Sequence, residues 1–194
     1  MQKSEVQSKK VGSIDIPIIQ RDRPLIKSLL IVVLGGFDGV LDKEGQLYFR
    51  LLCRLIDKSV DEYLIARDYI AKELKSGDKL AYRFEIINHL ENCINAINRA
   101  IKTFKWAIEK NSNLLQFIDS GTIAKIKSLS VSEVRNRIEH IDEDIFKNKF
   151  KKNLFLDADE EYKKICINEK CISFVELASI IENYHSLVRE IFNK

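Results

Sequence analysis

The chain has 194 residues, and its 32 Lys and Arg against 29 Asp and Glu leave a formal net charge of +3. It contains only 2 Pro and 7 Gly, and so few helix breakers argue against a loop-rich β-sandwich or a long disordered linker. The length suits one domain with a full hydrophobic core. The small positive charge does not by itself indicate a nucleic-acid partner.

The N-terminal region and the cysteines indicate a compartment. Residues 1–10 are polar and have no apolar signal core behind them. The most apolar run, residues 25–34, is about half as long as the roughly 20 residues that a membrane span requires. Four Cys are too sparse for a disulfide scaffold. We therefore expect a cytoplasmic protein with reduced thiols and no membrane association.

The first half of the chain predicts long helices. Residues 1–23 are expected to form an N-terminal arm, with a single helical domain over 24–194. Pro24 suits the first turn of a helix that ends near Gly35. Further helices are predicted over 46–75 and 79–110, where apolar residues follow a helical period.

The helix over 79–110 has the clearest pattern in the chain. Five aliphatic residues recur every seven positions, as in helices that pack at a shallow angle in a bundle. Trp106 lies outside this seam, so it either packs on another helix or marks an interface. The five seam residues are Leu80, Ile87, Ile94, Ile101 and Ile108.

Two further helices are predicted after a break at Gly121. A short one lies near 122–128. Ser130 and Glu133 have the spacing of a capping box, in which a hydroxyl and a carboxylate satisfy the first backbone N–H groups of a helix. This spacing predicts a helix over 131–149.

The pattern then changes from helical to strand-like. Short apolar segments at 154–156 and 165–167 are bounded by polar residues and predict a small hairpin or a two- to three-stranded sheet. Ser173 and Glu176 repeat the capping-box spacing and open the last helix. The expected fold is therefore mainly α, an up-and-down helical bundle with a small β-hairpin or short sheet before the last helix.

The predicted helix over 131–149 carries the most informative polar residues. At about 100° per residue, Asn136 and His140 are i,i+4 neighbours on the face away from the apolar stripe that includes Val134. Arg135 lies about 140° from His140, with Glu139 between them. One helix thus presents a fixed cation, an amide and an imidazole to a surface that the core does not use.

These groups suit phosphodiester cleavage. An imidazole with an ordinary pKa near about 6.5 can give and take a proton at physiological pH. A guanidinium fits phosphate oxygens and stabilises developing negative charge, and an amide can orient the substrate or the imidazole. In RNA the 2′-hydroxyl is an internal nucleophile, so the reaction needs no metal.

The segment Arg-Asn-Arg-Ile-Glu-His at 135–140 resembles the R-X4-6-H motif of HEPN domains, including the polar residue that usually follows the Arg. The resemblance implies that the domain over 24–194 is a metal-independent endoribonuclease that uses no cofactor. Its implied catalytic residues are Arg135, Asn136 and His140. Glu139 and Arg137 are supporting candidates.

The same resemblance has implications for partners. HEPN nucleases are usually homodimers whose two motif helices meet across a cleft, and some act as toxins or phage-defence effectors, so an antitoxin protein is a candidate partner. The predicted motif helix is acidic, and a lysine cluster follows it that could contact an RNA backbone. The cluster consists of Lys147, Lys149, Lys151 and Lys152.

Other interpretations of these residues stay open. The motif can be a solvated helix face with Arg135–Glu139 and His140–Asp144 pairs, and a run of Lys at a helix end is often only a solvated terminus. The domain can be a catalytically inactive HEPN-like module that binds RNA, a nucleotide or a protein. A metal-binding four-helix bundle is a third hypothesis.

A di-iron site is disfavoured by the sequence. Glu182 and His185 have the Glu-X-X-His spacing of di-iron bundles, but no matching second pair is present. His185 also falls in line with the apolar residues of its helix. It is therefore expected to be a histidine at the edge of the core.

Overall fold

The computed structural model shows a mainly α fold, as predicted. Most of the predicted N-terminal arm and the predicted helix near 122–128 lie outside the residues that it describes. The described residues are 16–20, 24–27, 29, 41–77, 81–110, 112–118, 129–147, 156–159 and 161–192.

Two long helices form the centre of the fold, α1 (Lys43–Ser76) and α2 (Arg83–Glu109), and they make the most extensive contact between described elements. The Asp42 carboxylate caps α1 by accepting the N–H of Gly45 at 2.6 Å. Gly77 ends α1 with φ 72°, a left-handed conformation that glycine adopts without steric cost. Both predicted helices are confirmed, with starts that differ by a few residues.

The heptad seam of α2 faces the core, as its period predicts. Ile94 and Ile101 are fully buried, and Ile87 packs partly buried against the same cluster. Ile108, by contrast, is partly exposed at the end of the helix. A short 3₁₀ helix that was not predicted, Asn113–Phe117, follows α2.

The segment before α1 is attached to it through a buried carboxylate. Asp57 on α1 accepts the backbone N–H groups of Leu25 and Ile26 at 2.9 and 2.8 Å. These two N–H groups belong to the start of a helical segment whose first residues have no intrahelical partners. Asp57 is buried, so the pairing offsets part of the desolvation of its charge.

The predicted helix over 131–149 is in fact two helices, α3 (Leu129–Glu139) and α4 (Ile141–Phe146). His140 lies between them with φ −102° and ψ 13°. The prediction of one continuous helix is therefore wrong. Val131 and Val134 bury one face of α3 in the core, whereas most of α4 does not pack on the core. Apolar burial therefore does not stabilise one continuous helix through His140.

The capping box predicted at Ser130 is also wrong. Ser130 is already inside α3, and its hydroxyl donates to the carboxylate of Glu176 on the last helix instead of capping its own. The last helix, α5 (Phe174–Phe192), begins as predicted, because Ser173 Oγ accepts the N–H of Glu176 at 3.0 Å.

The predicted small sheet is present and has three antiparallel strands in the order β1 (Asp157–Ala158), β2 (Lys164–Ile167) and β3 (Lys170–Ser173). Ile165, Ile167 and Ile172 turn their side chains into the core. One core cluster joins residues of α1, α2, α3, the three strands and α5. Among the described helices, none combines the length and apolar character that crossing a bilayer requires.

The β2–β3 hairpin corrects the expectation of reduced thiols. Cys166 lies directly opposite Cys171 in the strand register, with their Cα atoms 4.1 Å apart, and the two form a disulfide. Cys53 and Cys93 are free and buried, and burial raises the pKa of both thiols.

Candidate functional site

A cleft of about 430 Å³ opens between α3, the start of α4 and the hairpin. It contains Asn136 and His140, two of the three predicted catalytic residues, and the supporting candidate Arg137. Its full lining is Glu133, Asn136, Arg137, His140, Glu143 and Lys170.

Helical spacing explains the lining that α3 contributes. Glu133 is three residues before Asn136 and four before Arg137, and His140 follows Asn136 by four. The helical hydrogen bonding reaches His140, whose N–H donates to the carbonyls of Asn136 at 3.2 Å and Arg137 at 3.3 Å. The break in the helix therefore does not separate His140 from its predicted neighbours.

Arg135 does not line this cleft. Its guanidinium pairs with the Glu139 carboxylate one turn along the helix, and both side chains lie on the flank of α3 that turns away from His140. Ser132 on the same side of α3 donates to Asn98 Oδ1 of α2 at 3.1 Å, so this flank borders α2. The Arg135–Glu139 pair expected for a structural role is thus present.

The imidazole of His140 is held by a neighbouring carboxylate. His140 Nδ1 lies 3.2 Å from Glu143 Oε1. The side chain of Asp144, the partner expected from the i,i+4 spacing, lies outside the described part of the structure. Lys147 Nζ donates to Glu143 Oε2 at 3.0 Å, and Lys147 and His140 together lower the pKa of Glu143. When Nδ1 carries its proton it donates to this carboxylate, which leaves Nε2 to exchange a proton with a substrate.

The charges in the cleft nearly balance. Two carboxylates, Glu133 and Glu143, face two fixed cations, Arg137 and Lys170, around the titratable His140. The Lys170 ammonium reaches Glu133 Oε2 at 3.1 Å and thereby joins β3 to α3. The cleft therefore presents paired charges and not a uniformly positive field.

Only Lys147 of the four lysines predicted to bind RNA is among the described residues. Its ammonium pairs with Glu143 at the edge of the cleft. This pairing makes Lys147 a partner of the His140–Glu143 unit. The other three, Lys149, Lys151 and Lys152, lie outside the described part of the chain.

Three cleft residues were missed by the sequence reasoning. Glu133 and Glu143 could have been found, because each lies three residues from a motif residue on a helix. Lys170 carries no local signal, since it is 37 positions from its partner Glu133. Only the packing of the hairpin against α3 brings it to the site.

The described residues contain no group of three or more His, Cys, Asp and Glu side chains arranged to hold a metal ion. His185 is buried in the core face of α5, as expected for a core-edge histidine.

Comparison with known proteins does not identify the chain. No protein-family model matches it, and neither a curated protein nor a solved structure matches it.

Proposed function

We propose that the chain is a metal-independent endoribonuclease of HEPN type and that the cleft around His140 is its active site. One observation carries the proposal: Asn136, Arg137 and His140 line the same cleft, and Glu143 holds the His140 ring. An oriented imidazole beside a guanidinium is the arrangement that acid–base cleavage of a phosphodiester needs.

The proposed reaction begins with the RNA 2′-hydroxyl. His140 accepts its proton while the 2′-oxygen attacks the adjacent phosphorus, and the bond from phosphorus to the 5′-oxygen breaks. The products are a 2′,3′-cyclic phosphate and a 5′-hydroxyl. Arg137 stabilises the charge on the non-bridging oxygens, and Asn136 positions the phosphate.

The leaving 5′-oxygen must receive a proton, and a second imidazole can supply it. The homodimer that the HEPN resemblance implies brings two motif segments to one cleft. One imidazole then acts as base while the other acts as acid. In such a dimer Arg135, the cation of the HEPN motif, can also reach the substrate from its separate flank.

The test is cleavage of RNA in EDTA by the purified protein. We expect product with a cyclic phosphate end, and we expect His140→Ala to abolish it. His89→Ala is the matched control, because His89 pairs with Glu62 at 2.6 Å and does not line the cleft. Cleavage that persists unchanged in His140→Ala would rule out the proposed site.

A role as a toxin or phage-defence effector predicts an effect on cell growth, which is tested separately. Expression of an active cytoplasmic ribonuclease should arrest growth, and His140→Ala should relieve the arrest. Arrest of equal depth with the variant would contradict this role. An antitoxin partner would be recovered as a protein that restores growth and inhibits cleavage in vitro.

The second candidate function is a catalytically inactive HEPN-like module that binds a protein partner, RNA or a nucleotide. The carboxylates of Glu133 and Glu143 favour a protein partner, because both lie in the cleft where a phosphate would bind and both repel it. Stable binding of a protein, RNA or a nucleotide, without any cleavage of RNA, would support this candidate.

A further inference from the structure

The exposed side of α2 carries a second cluster of RNA-binding side-chain types, away from the cleft. Trp106 presents about half of its surface to solvent, with a relative exposure of 52%. Four exposed cations surround it along the same stretch of helix. We name this surface the α2 basic face, and it consists of Arg99, Lys102, Lys105, Trp106 and Lys110.

Helical geometry puts these residues on one surface. At about 100° per residue, Arg99, Lys102, Trp106 and Lys110 fall within an arc of about 80°, and Lys105 lies about 60° beyond Lys102. The core residues of α2 occupy the opposite side. The face extends for about 16 Å along the helix, enough for several stacked nucleotides at about 3.4 Å each.

The charges of this face differ from those of the cleft. No described residue forms an ion pair with any of its four cations, whereas Lys170 and Lys147 in and beside the cleft are both paired. Glu109 is the single acidic residue of the sequence between 99 and 110. Among the described residues, the face thus combines cations that have no ion-pair partner with an exposed aromatic ring.

This combination fits single-stranded nucleic acid. A base stacks on an exposed aromatic side chain, and flanking cations replace the counterions of the phosphate backbone. The three lysines of the face favour nucleic acid over a protein partner, because Lys is depleted at protein–protein interfaces. The face also begins beside the motif helix, because Arg99 follows Asn98, which contacts Ser132 of α3.

We infer that the α2 basic face binds single-stranded RNA, with a base stacked on Trp106 and phosphates bound by Arg99, Lys102, Lys105 and Lys110. The inference deepens the proposed function, since it assigns a second contact surface to the same RNA. Its test does not require cleavage.

Trp106 is the only Trp of the chain, so its intrinsic fluorescence reports directly on this face. The probe is a 2′-O-methyl oligouridylate in EDTA, which lacks the nucleophile for cleavage. We expect saturable quenching whose apparent affinity falls steeply as salt is raised. Absence of quenching at any salt concentration would overturn the inference.

Variants assign the contacts through the anisotropy of the labelled oligonucleotide. Trp106→Ala should weaken binding about tenfold, and Lys102→Ala should reduce the slope of log affinity against log salt by about one. The controls are Phe84→Ala, an exposed aromatic on the same helix, and Lys58→Ala, an exposed cation on α1. Unchanged binding in Trp106→Ala and Lys102→Ala would overturn the inference.

Sedimentation of Trp106→Ala separates RNA from protein as the ligand. If the variant changes the oligomeric state and leaves RNA affinity unchanged, the face is a protein interface and the inference is wrong. Failure of the proposed function is distinguishable, because oligonucleotide binding without cleavage of ordinary RNA contradicts only the nuclease. Cleavage with no binding at Trp106 contradicts only the inference about α2.

Discussion

At the scale of residues, the two arginines of the motif have different surroundings. Arg137 lines the cleft with His140, whereas Arg135 and its partner Glu139 lie on the other flank of α3. The motif by itself favours Arg135 as the catalytic cation. Within one protomer, the geometry favours Arg137.

Comparison of the two arginine variants tests this assignment. We expect Arg137→Ala to lower the single-turnover rate constant for RNA cleavage by roughly 100-fold, because it removes a fixed donor to the phosphate in the transition state. Arg135→Ala should have a smaller effect. The measurement is single-turnover cleavage in EDTA, with folding checked by circular dichroism. A larger loss in Arg135→Ala would contradict the assignment of Arg137 as the catalytic cation.

Glu73, Arg83 and Tyr162 form a second polar cluster, which does not line the cleft and whose role is structural. The buried Glu73 carboxylate accepts the Tyr162 hydroxyl, and Arg83 Nη1 donates to the same Tyr162 oxygen at 3.2 Å. Burial, with a contribution from Glu73, raises the pKa of Tyr162 from 10.0 to about 12. The cluster links the end of α1 and the start of α2 to the segment between β1 and β2.

Tyr162→Phe should lower the free energy of unfolding at neutral pH by about 1–3 kcal/mol, since Glu73 loses a buried donor. The pKa of Tyr162 is raised by folding, so its stabilising effect is complete below pH 10.0 and is lost as pH rises through about 12. The difference between wild type and variant should therefore shrink over that interval.

Urea unfolding at a series of alkaline pH values measures this difference. Tyr48→Phe is the control, because the Tyr48 hydroxyl donates to the exposed Glu44 and its removal should change stability little. A gap between wild type and Tyr162→Phe that widens towards pH 12 would contradict the assigned linkage.

At the scale of elements, the hairpin decides the shape of the cleft. β3 brings Lys170 to Glu133 of α3, and the Cys166–Cys171 disulfide ties β3 to β2 one residue further on. The hairpin was predicted from its strand-like apolar segments. Its contact with α3 was not, because no local pattern encodes the pairing of a hairpin with a helix distant in sequence.

Removal of the disulfide should loosen this element. For so short a loop, chain-entropy arguments give a contribution of about 2 kcal/mol, so Cys166→Ser with Cys171→Ser should lower the free energy of unfolding by up to that amount. The measurement is urea unfolding without reductant. Wild type in excess reductant serves as the matched state, and equal stability of all three samples would contradict the prediction.

At the scale of the whole molecule, α4 leaves an apolar surface uncovered within the described chain. Phe146 is 87% exposed and Ile145 is 42% exposed, directly after the motif. Such a surface next to the proposed site suits the homodimer that the HEPN resemblance implies. The dimer stays a prediction, since the structure contains a single chain.

Substitution of this surface tests the dimer. The wild-type protein should sediment as a dimer, whereas Ile145→Ser with Phe146→Ser should sediment as a monomer and lose RNA cleavage. Phe84→Ser is the control, because Phe84 is similarly exposed but lies at the start of α2, so its substitution should leave the oligomeric state unchanged. A monomeric wild type would contradict the expected assembly.

The sequence by itself determined the helices that have a core to cover, the hairpin, and the neighbourhood of Asn136 and His140. The period of the apolar residues and the i,i+4 spacing are local properties of the sequence, so they predict these features without knowledge of the tertiary packing. Only the tertiary structure decided the break at His140, the separation of Arg135 from the cleft, and the arrival of Lys170 at Glu133. These features depend on how far each helical turn is buried in the core and on which element distant in sequence packs against it. The local spacing of residues does not encode either of them.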